Sequence, residues 1–517
     1  MRSINQTLGI FTVLALLLIA LFYFLFRTHL FRQEQFRPAG LPNSGRSSSF
    51  VPTTDNNQEK PVSAAAPSRV RGATGFLEVL AKNPRYFTND GVHAILLAGS
   101  HTWSNGMEDR GTINPPLPFD YNAYMSFMNA HNFNWMRLWT SEMAHLSKSD
   151  DPHEDIIAPP FKWARSGPGR ANDGAPKYDF MQLDQNYFDR MRARVIQAGQ
   201  NGIYVSVMLF NGYMWQFDGI PIDGNPFEIG NNVNSVSCGG ICPSDNSQIS
   251  AQAWSYEQVY LQKVIDTVND LDNVMYEISN EAGSPYSDSW QASVISFVKS
   301  YEARKPKQHP VGMTFQYQGG TDVTLYKSQA DWVSPSTTLP PETSGNKVII
   351  NDTDHSYCWS CMKSAGHNAQ REWAWENFTR GNNLGFMDPY LVRWSGRNQC
   401  TGKTSDPDVC TTLDPDWDEI RNAMTDIRNY ATKIDLDSMT PQHALSTSGY
   451  CIANPGSQYL VFSTSNSFTL SVVTGTYAYE WFNPSTHTLV QTGSMNVVSN
   501  QPFTAPFSGD SVLWLHK

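Results

Sequence analysis

Between residues 95 and 434 the chain alternates short β-rich runs with segments of helical spacing. This alternation restricts the fold more than any other feature of the sequence. The β-rich runs lie at 95–97, 135–139, 204–210, 274–278, 310–315, 330–334, 347–350 and 385–387, and helical spacing marks 119–130, 183–200, 255–269 and 290–302. Strands separated by helices pair in parallel. Eight of them close naturally into a ring. The expectation is an α/β chain: a (β/α)8 TIM barrel over residues 72–437, with 417–434 as its closing helix. After Ser438 the runs shorten and turn residues separate them, as in 459–462, 468–473, 478–482, 488–490 and 512–515. That pattern predicts a small all-β sandwich over 438–517. A chain of 517 residues suits a large domain with a smaller one.

The N-terminal segment is of another kind. Residues 8–26 form an unbroken apolar run without charge, about the length that spans a bilayer. The run ends in Phe-Arg-Thr-His-Leu rather than in a small-residue cleavage site, so 1–37 reads as an uncleaved transmembrane signal anchor. Residues 38–71 are rich in Ser, Pro, Asn and Gln and read as a disordered stalk. Arg27, Arg32 and Arg37 follow the apolar run, and counted alone they place the body in the cytoplasm. The cysteines argue for the opposite side. Six of the seven fall into close pairs: Cys238 with Cys242, Cys358 with Cys361, and Cys400 with Cys410. They lack histidines at zinc-finger spacing, so local disulfides are expected, in an oxidising compartment. The seventh, Cys451, reads as a buried thiol. The expected placement is a single-pass membrane protein with its folded domains extracellular or lumenal. Asn351-Asp-Thr353 and Asn377-Phe-Thr379 have the form of glycosylation sequons.

The net charge of −11 gives nucleic-acid binding no electrostatic support. Charged residues are only 16% and aromatics 12%, which leaves flat apolar rings for sugar faces or for a large core. The C-terminal ends of the barrel strands carry the informative polar residues. The first gives His101 and Trp103. The second gives Arg137 and Trp139, with Glu142 beyond. The fourth ends in Asn280-Glu281 and the fifth leads to Tyr317. The seventh runs into Asn351-Asp-Thr-Asp-His355, and Trp373, Trp375 and Asp388 lie around the eighth. Barrel enzymes keep their chemistry on this face. Carboxyl groups on strands four and seven face each other across the mouth. One can protonate a leaving oxygen while the other attacks or activates water, as glycoside hydrolysis requires.

The Asn-Glu on strand four with a carboxylate on strand seven resembles the clan-A retaining glycoside hydrolases. More narrowly, residues from about 74 onward resemble the apiosidase-like glycoside hydrolases with a C-terminal domain labelled collagen-binding. The stretches that carry the likeness are NPRYFTNDG, GSHTWSN, RLWTSE, YEISNEAG, VGMTFQYQGG, NDTDH, FTRGNNLGFMDPY, YCIANPGSQYLVF, EWFNP and FTAPFSGD. The resemblance implies a barrel with a β-sandwich, O-glycosyl hydrolase activity, and Glu281 as the acid/base. The nucleophile position falls on Asp352 by strand phasing, with Asp354 two residues on as the other candidate. Asn280, Arg137, His101, Trp103, Trp139, Tyr317, His355 and Trp375 are the expected substrate-binding residues. No metal and no cofactor is expected, since NDTD falls short of a calcium loop. The partners expected are a polysaccharide or oligosaccharide substrate and the membrane. Two other classes make different demands on the sequence. A glycan-binding or adhesion protein on an inactive barrel would bind without releasing reducing sugar. A protease is opposed by the lack of an HExxH helix or a GxSxG elbow.

Overall fold

The computed structural model describes residues 73–103, 106–146, 156–215, 224–237, 251–283, 287–317, 320–341, 345–356, 359–393 and 398–517. The apolar run 8–26 and the stalk 38–71 lie outside the described residues. So do Cys238, Cys242 and Cys358, and the side chain of Cys361. Cys400 and Cys410 are disulfide-bonded, and Cys451 is a buried free thiol. Among the described residues no helix is long and apolar enough to cross a membrane.

Eight parallel strands form a TIM barrel. They are β1 (Ala98–His101), β2 (Trp135–Leu138), β3 (Tyr204–Asn211), β4 (Val274–Asn280), β5 (Val311–Thr314), β6 (Trp332–Ser334), β7 (Val348–Asp352) and β8 (Asn383–Met387). Each pairs with its sequence neighbour from β2 to β8, and β8 pairs back onto β1. Asn134 closes the remaining seam between β1 and β2. Its backbone N–H donates to Ala98 O at 3.0 Å. Its side chain accepts from Ala98 N at 2.9 Å and donates to Leu96 O at 3.0 Å.

The crossovers carry the helices that the spacing predicts, α1 (Tyr121–Ala130), α2 (Gln185–Gln200), α3 (Ala251–Val268) and α4 (Asp288–Glu302), and a short one it does not, α5 (Asp322–Lys327). Asp120 and Asp184 cap α1 and α2 by accepting backbone N–H bonds, which satisfies donors that a helix start leaves free. A single turn, α6 (Thr353–Ser356), follows β7; α7 (Trp359–Thr379), broken by a kink at Gly366, follows that, and α8 (Asp418–Ala431) closes the ring. An antiparallel hairpin, Trp163–Arg170 with Pro176–Leu183, extends the connection between β2 and α2.

The C-terminal strands are β9 (Thr440–Pro441), β10 (Cys451–Asn454), β11 (Gln458–Ser463), β12 (Ser467–Leu470), β13 (Gly475–Asn483), β14 (Thr488–Val497), β15 (Gln501–Thr504) and β16 (Ser511–His516). Six form one sheet in the order β9-β10-β11-β16-β13-β14, and β12 pairs with β15. Both faces of the central strands are buried. Cys451, Ala453, Tyr459, Val461, Trp481, Leu513 and Leu515 share a core with Phe468 and Phe503 of the small sheet. Their sequence neighbours Ile452, Leu460, Phe462, Phe482, Val512 and Trp514 belong to the barrel's core. A strand points alternate side chains to opposite faces, so burying both requires the near-continuous apolar runs seen here.

Candidate active site

The side chains of His101 on β1, Arg137 on β2, Glu277 on β4 and Asp352 on β7 hydrogen-bond to one another, which places all four inside the barrel. Arg137 is the hub. Its Nε donates to Glu277 Oε2 at 2.8 Å, its Nη2 lies 3.1 Å from Asp352 Oδ2, and its Nη1 donates to Asp354 Oδ2 at 2.9 Å. The guanidinium lies over the Trp139 ring, 5.2 Å from its centroid. Burial pushes the Glu277 carboxyl up and Arg137 pulls it back.

Asp352 ends β7 at 1% exposure and accepts on both oxygens. His101 Nε2 lies 2.8 Å from Oδ2, and the Asp354 backbone N–H donates to Oδ1 at 2.9 Å. The tautomer of His101 follows from its other nitrogen. Trp139 Nε1 is 3.1 Å from His101 Nδ1, and an indole N–H can only donate. Nδ1 therefore carries a lone pair, the ring is neutral, and the proton sits on Nε2 facing Asp352. Burial lowers His101 in the same sense. For Asp352, burial opposes the charge, but His101 and Arg137 outweigh it and hold the carboxyl well below the usual carboxylate range.

The local sequence Asn-Asp-Thr-Asp-His-Ser separates these roles. Asn351 points away and bonds Asn377 of α7. Asp352 points in. Thr353 Oγ1 accepts the Met387 N–H of β8 at 2.9 Å. Ser356 Oγ donates back to Asp352 O at 2.8 Å, closing the turn. Asp354 and His355 then sit on the turn's inner side. His355 Nε2 meets Asn280 Oδ1 at 2.8 Å, and its Nδ1 meets Ser334 Oγ of β6 at 2.7 Å. Burial, then the Arg137 charge, push His355 well below its ordinary value. Nε2 faces the Asn280 amide oxygen, which can only accept, and also lies 3.4 Å from Arg137 Nη2.

Glu281 is half-buried and has φ 52°, a left-handed conformation that a residue with a side chain rarely adopts. Such outliers cluster at functional positions. Gly212, just after β3, makes room for this kink. A Cβ there would lie 2.5 Å from Ala282 Cα and 2.8 Å from Asn280 O. Asp354 responds to Glu281. Burial first, and the Glu281 charge second, raise its carboxyl well above the ordinary value, against the pull of Arg137.

The structure therefore gathers Arg137, His101, Trp139, Asn280, Glu281, Asp352, Asp354 and His355 at one end of the barrel, with several roles changed. Trp139, His101 and His355 are buried; they position Arg137, Asp352 and Asn280 and offer no open face to a sugar. Trp375 is fully buried far from this group, stacked on Phe462 at 6.3 Å and packed on Tyr430 and Phe482. It is a core residue under the C-terminal sheet. Trp373 is buried too. Asp388 forms a two-bond pair with Arg421 of α8 at 2.7 and 2.8 Å, a structural tie. Tyr317 is 37% exposed and Trp103 half-buried. Both sequons are closed: Asn351 and Asn377 are fully buried and bonded to each other.

Glu277 and Ser334 are functional partners that the sequence reading missed. Glu277 had a signal: it is the one charge inside an otherwise neutral strand run. Ser334 had none. Among the described residues no group of three or more His, Cys, Asp or Glu side chains is arranged to hold a metal.

Comparison with protein-family models gives no match, and comparison with curated proteins gives none either. Solved structures do match. One described as a glycoside hydrolase aligns over 86% of this chain and 97% of its own, at 11% identity and a TM-score of 0.55. A glycoside hydrolase family 5 structure from Bacteroides vulgatus ATCC 8482 aligns over 86% and 93%, at 12% identity and a TM-score of 0.55. At these identities the likeness is one of fold.

Proposed function

We propose that this chain is a retaining O-glycosyl hydrolase. The observation that carries the reading is the position of Asp352 and Glu281 at the C-terminal ends of β7 and β4, the first bonded to Arg137 and His101 and the second held at φ 52°. A carboxylate kept ionised by a buried cation, with a second carboxyl group at the same barrel mouth, is what nucleophile and general acid require. The fold neighbours described as glycoside hydrolases support the same class.

In this reading Asp352 attacks the anomeric carbon while Glu281 gives its proton to the leaving glycosidic oxygen. The C–O bond breaks and a glycosyl-enzyme ester forms. Glu281 then takes a proton from water, whose oxygen attacks the same carbon and releases Asp352. Asn280 has its oxygen engaged by His355, so it offers its amide N–H groups to a sugar hydroxyl. Among the described residues Tyr317 is the aromatic best exposed to lie against a sugar ring. The substrate class is an extracellular or lumenal polysaccharide, reached from a membrane anchor at residues 8–26. The apiosidase-like subtype and the collagen-binding kinship rest on the sequence motifs quoted above.

The test is reducing-sugar release across a panel of plant, fungal and bacterial polysaccharides. Glu281→Gln should abolish it with the circular dichroism spectrum unchanged. A panel of cyclophellitol epoxides of different sugar configuration should label Asp352, mapped by peptide mass spectrometry. Binding of a glycan with no release by the wild-type chain would refute the reading in favour of a binding scaffold.

A further inference from the structure

Two polar atoms at the mouth are idle, and the side chains that carry them flank one imidazole nitrogen. His355 Nε2 lies 2.8 Å from Asn280 Oδ1 and 3.6 Å from Asp354 Oδ2. Those oxygens are the engaged ends of their side chains, and Asp354 Oδ2 also accepts from Arg137 Nη1 at 2.9 Å. The other ends are Asn280 Nδ2 and Asp354 Oδ1, and among the described residues neither has a hydrogen-bond partner. Asp352 differs, since its Oδ1 accepts the Asp354 N–H and its Oδ2 meets His101 and Arg137. The Asp354 side chain keeps 9% exposure where that of Asp352 keeps 1%. Asp354 is thus a nearly buried carboxyl group, aimed by Arg137, with one oxygen left toward the opening. Its backbone is fixed as well, through its own bond to Asp352 Oδ1 and the Ser356 bond that closes the turn. A polar atom this enclosed costs stability unless something meets it.

We propose that Asp354 is a specificity-determining residue: its free Oδ1 holds one hydroxyl of the sugar while the Asn280 amide holds the adjacent one, so that the site selects sugars with two neighbouring free hydroxyls. Neighbouring hydroxyls present two polar groups at a short, fixed spacing, which suits two side chains gathered around one nitrogen. A hydroxyl donates to a carboxylate and accepts from a carboxylic acid, so the contact holds in either protonation state of Asp354. A sugar that lacks this hydroxyl leaves the enclosed oxygen unpaired, and sites of that kind reject the deoxy analogue. A sugar that carries a further residue on this hydroxyl has no donor to offer and meets the wall of the site. The inference rests on the glycosidase reading for the placement of a sugar at this mouth.

The test uses the full chain and cyclophellitol epoxides, first in different sugar configurations and then, for the one that labels fastest, as its set of monodeoxy analogues. In the wild type, two neighbouring deoxy positions should slow the labelling of Asp352 by about tenfold to a hundredfold each, the range for losing a hydrogen bond to a charged group. In Asp354→Ala the penalty at one of these positions should shrink to within about threefold while the other keeps its size, as a mutational cycle on one contact requires. Asp354→Asn keeps an oxygen for Arg137 and a polar group for the hydroxyl, so it should restore part of that one penalty. A residue that only supports Arg137 would change every position alike, and that outcome would overturn the proposal. Penalties that stay the same in both variants would overturn it too, and so would a label on Asp354 itself, which would make Asp354 the nucleophile. Should Asp354→Ala fail to fold, a change confined to one position in Asp354→Asn gives the same reading. Saturation-transfer NMR with the free monosaccharides and their monodeoxy forms, on the same three proteins, separates the two readings. Binding that shows the Asp354-linked penalty, without labelling by any epoxide, would leave this inference standing and sink the glycosidase reading. Labelling without the penalty would do the reverse, and a chain that neither labels nor binds would overturn both.

Discussion

Gly385 of β8 is small because Asp352 stands beside it. The two are register partners, and a Cβ on Gly385 would lie 3.1 Å from Asp352 Cγ and 3.0 Å from the Trp135 ring. Neither neighbour can yield, since Asp352 is fixed by His101 and Arg137 and Trp135 fills the barrel floor. Gly385→Ala should therefore cost about 1–3 kcal/mol through overpacking. It should also depress turnover more than that loss explains. Chemical denaturation and kcat on the same preparation check this. Wild-type turnover in a destabilised Gly385→Ala would show that the Asp352 position is not critical.

Trp139 should act through His101. Trp139→Phe keeps the ring under Arg137 but removes the N–H that occupies His101 Nδ1. The imidazole then gains access to its other tautomer and to a second proton. Turnover should fall about tenfold, equivalent to about 1.4 kcal/mol. The 15N shifts of labelled His101 should leave the pattern of a fixed Nε2–H. An unchanged 15N pattern would refute this role.

Two buried acids away from the mouth set a pH trend. Burial pushes Glu108 to about 7 and Glu257 to about 8, although Ser141 and Trp290 donate to them. The folded chain thus keeps protons that the unfolded chain has lost. Their contribution is fully present below the unfolded glutamate value of about 4.3 and is lost as pH rises through about 7 and about 8. Asp352 runs the other way, and its contribution is lost as pH falls through its depressed value. Stability should peak in mildly acid solution and decline by a few kcal/mol toward pH 9. Glu257→Gln should flatten the alkaline decline. A Tm-against-pH curve that is identical in both proteins would contradict the assignment.

His487 ties the β13–β14 turn to α8. Its Nδ1 lies 2.7 Å from Asp426 Oδ2 and its Nε2 3.7 Å from Glu419. Those two acids push it up to about 9. The stabilisation is complete below the ordinary histidine value and disappears as pH rises through about 9. His487→Gln should lower Tm at pH 7 by on the order of 2 °C. The two proteins should converge at pH 10. A constant offset across that range would point to packing as the cause.

Much of this architecture can be read from the chain because its signals are local. Alternation placed all eight strands within a few residues, and strand ends placed Arg137, Glu281 and the Asp352–His355 run at one face. What escaped depends on partners distant in sequence. Trp139 and Trp375 present the same aromatic surface to a reader of sequence, yet one lies under Arg137 and the other under Phe462. His101 and His355 look like ligand groups until Trp139, Asn280 and Ser334 are seen to occupy their ring nitrogens. The segment Trp359–Thr379 received no element from the sequence, because Gly366, at φ 80°, breaks it into two helical pieces and no single apolar stripe runs its length. The sequons are present as letters, and only burial closes them.

The sheet of β10, β11, β13 and β16 is common property of two cores. A protein cut after residue 437 would leave Trp375 and Tyr430 facing water, and the released fragment would expose Phe462, Phe482 and Trp514. The change of pattern at that point in the chain is thus not a seam along which the molecule can be parted. Parting the chain there would strip apolar surface from both pieces at once, so the C-terminal strands serve as one wall of the barrel's own core.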